Sequence, residues 1–82
     1  MTEHKGYVNR SRRFVLHRDA DISGVSGTGT VAEGIEFSNG LVFLTWDSAH
    51  RSATMFDNIK VLNNVHGHDG STHVVWIDPE IP

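Results

Sequence analysis

Apolar and polar residues alternate most clearly in "TVAEGIEFSNGLVFLTW", residues 30–46. Val31, Glu33, Ile35 and Phe37 take turns with Ala32, Gly34 and Glu36, the period of two expected of a strand with one buried face. Asn39-Gly40 follows, a pair that tolerates positive φ and so predicts a type I′ hairpin turn. The return segment is apolar on both faces from Leu41 to Leu44, as in a central strand or one that meets a partner. Gly34 in mid-strand predicts a bulge or bend. A shorter strand is expected over residues 13–18, with Phe14 and Leu16 on one face and Val15 and His17 on the other. "SATMF" predicts a further strand, and "DNIKVLNN" one or two helical turns capped by Asp57, with Ile59 and Leu62 facing inward. Finally, "VHGHDGSTHVVWID" reads as a second hairpin that turns at Asp69-Gly70 and ends in a Trp-bearing strand.

These elements predict an all-β or mainly β domain of five to six strands with at most one short helix. The favoured architecture is a small, strongly bent antiparallel barrel of the SH3-like kind, with an open meander or a sheet plus helix as alternatives. The domain is expected to span residues 13–78, preceded by a flexible arm over 1–12 and followed by a tail over 79–82. With 82 residues, the core is thin and each large apolar side chain counts.

Composition narrows the setting. The absence of cysteine removes disulfide and thiolate-metal staples and suits a reducing compartment. No apolar stretch approaches the ~20 residues that span a bilayer, and the N-terminus lacks a signal-peptide core. The chain is therefore expected to be soluble and cytoplasmic, with no membrane partner. A net charge of −3 argues against nucleic acid as its main partner. Lys5, Arg10, Arg12, Arg13 and Arg18 do gather near the start, where a polar arm is ordinarily solvated.

Four groups of residues carry candidate chemistry. In the expected second hairpin His66 would lie opposite His73, with His68 on the same face. Three imidazoles are the donor set of an open Zn²⁺ site, and a metal-binding protein or metal-dependent hydrolase is the alternative this raises. A structural histidine that hydrogen-bonds to backbone is the simpler reading. Ser23, Gly24, Ser26, Gly27 and Thr28 form a glycine-rich loop whose amides suit a small anionic ligand or nucleotide. The Walker lysine is missing, and glycines also serve plain turns. Asp19 and Asp21 are too few for a dedicated cation site and are expected to accept hydrogen bonds or to pair with Arg18. Trp46 and Trp76 fill the core or form a partner-binding platform. No nucleophile elbow occurs, so neither a catalytic residue nor a required cofactor is expected.

The segments "SGVSGTG", "AEG", "FSNGLV" and "HGHDGST" resemble those of a family of short uncharacterised actinobacterial and actinophage proteins. The resemblance covers residues 13–78 and implies a bacterial or phage setting, with no activity or cofactor attached. Two strands apolar on both faces exceed what one thin domain can cover. The expected function is thus a non-catalytic interaction module. It would be a homo-oligomer, a phage accessory protein acting on a host macromolecule, with a host or phage protein as a further partner.

Overall fold

A computed structural model of the chain describes residues 8–19, 28–48, 51–67 and 70–80. Five strands, β1 (Arg12–Arg18), β2 (Gly29–Glu36), β3 (Val42–Trp46), β4 (Ala53–Phe56) and β5 (Thr72–Trp76), form one antiparallel sheet in the order β4-β3-β2-β1-β5. One helix, α1 (Ile59–His66), connects β4 to β5.

The register explains which side chains meet. Phe14 is paired with Gly34 on one side and Trp76 on the other, and Gly34 is paired in turn with Leu44. Paired residues share a face, so Phe14, Leu16, Ala32, Val42, Leu44 and Phe56 line an inner face, where all six are buried. Gly34 is needed by packing rather than by a bend. A β-carbon there would stand 2.6 Å from Phe14 Cζ and 2.7 Å from the Phe43 carbonyl oxygen. The irregularity of β2 lies two to three residues earlier, where the register shifts between Leu16 and His17 and residue 31 is left over. Val31 and Ala32, neighbours in sequence, are consequently both buried. Arg18 ends the inner face, buried, with its Nε donating to Thr72 Oγ1 at 3.0 Å.

The first turn differs in detail from the expected two-residue form. Phe37 N–H donates to the Leu41 carbonyl and Gly40 N–H to that of Phe37, both at 2.8 Å. This is the pattern of a three-residue hairpin loop with a glycine bulge, and Gly40, at φ 92°, is its left-handed residue.

The second expected hairpin does not form. Residues 59–66 are helical, and β5 pairs with β1. The helical spacing of Ile59, Leu62 and His66 prevails over the short alternation around His66. Asn58, rather than Asp57, caps the helix, its Oδ1 accepting from Val61 N–H at 2.9 Å. Gly67 and Gly70 carry the chain from the helix into β5, with Gly70 at φ 91° and Gly70 and Thr72 N–H both donating to the Gly67 carbonyl. Asp69 lies outside the described residues.

The mainly β fold with five strands and one short helix is therefore present. Among the described residues, SH3-like closure is not, because β4 and β5 remain separate edges. Leu62 reaches the inner face from α1 and joins the buried cluster there, so a helix covers the core where a barrel would close strand on strand.

Gly34→Ala should cost about 2–3 kcal/mol in urea unfolding by forcing the Phe14 ring and the β3 backbone apart. Adding Phe14→Leu should restore part of that loss; full stability in Gly34→Ala alone would contradict the packing.

Candidate functional site

The outer face of the sheet has no covering element among the described residues. Alternation along the strands places Arg13, Val15 and His17 of β1 there, with Glu33 and Ile35 of β2, Phe43 and Thr45 of β3, Met55 of β4, and His73 and Val75 of β5. Ile77 continues the same side beyond β5, its N–H donating to the Arg13 carbonyl at 2.9 Å. One row across the sheet reads Ile77, Arg13, Ile35, Phe43, Met55. Met55 and Ile77 are 55% and 53% exposed, and Phe37, Phe43 and Val75 are exposed as well. A hollow of about 320 Å³ opens on this face between Ile35, Phe43 and Ile77.

The charge within this row is neutralised. Arg13 makes a two-pronged contact with Asp78, Nη2 to Oδ1 at 2.8 Å and Nε to Oδ2 at 3.0 Å, and its backbone N–H also donates to Oδ2 at 2.8 Å. The guanidinium hydrogen bonds hold the Asp78 carboxyl down at about 2, and Asp78 raises the Arg13 pKa in return. Arg12, on the inner side, stacks over the Trp76 ring at 3.8 Å.

The predicted histidine set is split. His66 ends α1, where its ring meets Trp46 at 4.9 Å and Phe56 at 5.6 Å between centroids. His73 stands on the outer face beside a different imidazole, that of His17, its cross-strand partner, at 5.5 Å. Asp19 joins them, one oxygen 3.3 Å from His17 Nε2 and the other 3.6 Å from His73 Nδ1. His68 lies outside the described residues. Among those described, no three His, Cys, Asp or Glu side chains are arranged to hold a metal ion. The hairpin that would have joined His66 to His73 is replaced by helix, and Asp19 contacts histidines rather than Arg18 in the ion pairs of the described residues.

Trp46 and Trp76 are half-buried and pack against the core from the inner face, Trp76 meeting the Phe14 ring edge-on at 5.5 Å. They form no outward platform. Of the glycine-rich loop only Thr28 is described, exposed just before β2; Ser23, Gly24, Ser26 and Gly27 lie outside the described residues, as does Asp21. The exposed residues that sequence reasoning did not single out are Phe43, Met55, Val75 and Ile77. For Phe43, Val75 and Ile77 the signal was available in "LVFLTW" and "HVVWI", which are apolar on both faces; Met55 lies in neither segment. The His17–Asp19–His73 cluster left no local signal, since it depends on a pairing between the first and last strands.

A single sheet with one covered face is thus the class of fold that carries these groups. The family model described as Acb5 phage protein matches residues 11–78, and the chain belongs to that family. No curated protein and no solved structure matches it. No helix among the described residues is long and apolar enough to cross a membrane.

The Arg13–Asp78 pair has a pH signature. A carboxyl held below its unfolded value near about 4 stabilises the fold above that pH and loses the effect as pH falls toward about 2. Thermal melts of Asp78→Asn should therefore show a shallower decline between these limits than wild type; parallel declines would show that the pair does not contribute. His66→Ala should lower stability by about 1–2 kcal/mol through lost ring contacts. That loss should be equal with and without a chelator, whereas a chelator-dependent loss would restore His66 as a metal ligand.

Proposed function

We propose that the protein is a non-catalytic binding module, a phage accessory protein that acts by occupying a macromolecular partner rather than by turnover. The observation that supports this reading is the outer sheet face. An apolar row from Ile77 to Met55, its one cation neutralised by Asp78, is what an association surface requires. Monomeric proteins rarely leave such continuous patches uncovered. Membership in a phage protein family is consistent with an accessory role. A protein that binds in proportion to its amount needs a surface and no assembled catalytic group.

The test is sedimentation of fluorescently labelled protein in an extract of infected host cells. Wild type is expected to travel in complexes heavier than two 9.1 kDa chains, and Phe43→Glu with Met55→Glu to travel as the free chain with unchanged circular dichroism. Wild type sedimenting no heavier than two chains would defeat the reading.

A further inference from the structure

Building on that reading of the outer face, we infer that its standing occupant is a second copy of this chain, packed sheet on sheet about a two-fold axis. Three observations converge on a copy of itself.

The first is shape. An isologous interface needs a protrusion and a recess on the same surface. This face has both: Met55, more than half exposed at the β4 edge, and the hollow between Ile35, Phe43 and Ile77. A two-fold axis parallel to the strands, passing between β2 and β3, exchanges β2 with β3 and β1 with β4. It sets Ile35 on Phe43 of the second copy and brings the second copy's Met55 over β1, beside that hollow.

The second is charge. The same operation sets Glu33 opposite Thr45, its lateral neighbour in the register, rather than opposite another Glu33. Arg13 enters the contact already paired with Asp78. No unmatched like charges face one another. A foreign partner would not need this neutrality, because it could supply opposite charge.

The third is area. The four strands that this axis brings together, about 4.8 Å apart, and three side-chain rows about 6.8 Å apart give a flat overlap of roughly 19 by 20 Å, or ~390 Å² before side-chain relief is counted. Stable interfaces start at about 600 Å² from each partner and weaker, reversible ones lie below that, so this overlap, with side-chain relief and the rim residue Phe37, suits a concentration-dependent dimer. Sheets packed this way lie about 10 Å apart with strands near 30° to one another.

The chain has no cysteine, so single cysteines report on geometry cleanly. Purified full-length protein should sediment at twice the chain mass. Thr45→Cys, near the axis and outside the apolar row, should be joined to its copy by a short bismaleimide. Lys60→Cys, on the exposed side of α1, should not be joined. Phe43→Glu should sediment as a monomer, with Met55→Glu as a second variant should Phe43→Glu fail to fold. A purified monomer at every soluble concentration would overturn the inference, as would a dimer that links through Lys60 and not Thr45. If that monomer still entered heavier complexes in host extract, and the face variants did not, another protein would be the occupant and only the self-association would fall. Free chain in both settings would remove the association reading as well.

Discussion

The contact on which this fold turns is the ring of Phe14 lying where Gly34 has no side chain. Phe14 is completely buried, and its ring occupies the position that a β-carbon of the next strand would take. That single arrangement ties β1 to β2, reaches the β3 backbone through Phe43, and presents an edge to Trp76 of β5. Among the described residues one buried cluster forms the core, as expected of a domain this small. Phe14 can sink this deeply only because its strand sits between two others, which requires the last strand of the chain to return beside the first.

The arrangement explains why the two faces of the sheet differ so much. Bulky residues from β1, β3 and β4 converge on one side and are closed over by Leu62 of α1, with Trp46 and Trp76 filling the ends. A helix of eight residues is marginal by itself, and it is held by this burial and by the Asn58 cap. It covers one side only. The other side keeps the apolar positions that alternation dictates and receives no cover from the described part of the chain. The outward row is thus the counterpart of an economical core, and the association proposed above follows from the same geometry.

Much of this was legible in the chain. Alternation gave β1, β2 and β3, the residues that face inward in β1, and the reversal near Gly40. The apolar excess in residues 41–46 and 73–77 pointed to exposed greasy surface, although it suggested the tryptophans rather than Phe43, Val75 and Ile77 as the exposed groups. The failure over residues 65–70 has a definite cause. "VHGHDG" offers both a strand alternation and the end of a helical repeat, and the choice depends on whether Leu62 can reach the inner face, a tertiary fact. Once the helix runs to His66, the imidazole expected opposite His73 is turned toward Trp46 and Phe56, and His17 takes its place from the far end of the sequence. Local pattern cannot reveal a neighbour separated by most of the chain.

The pairing of β1 with β5 also governs the order of events during synthesis. Hairpin β2–β3 can close as soon as it leaves the ribosome, since its contacts are local. Phe14 and Leu16, however, remain half-flanked until residues 72–76 dock beside β1. That docking joins the strand pair most distant in sequence, so its chain-closure cost is the largest in the sheet.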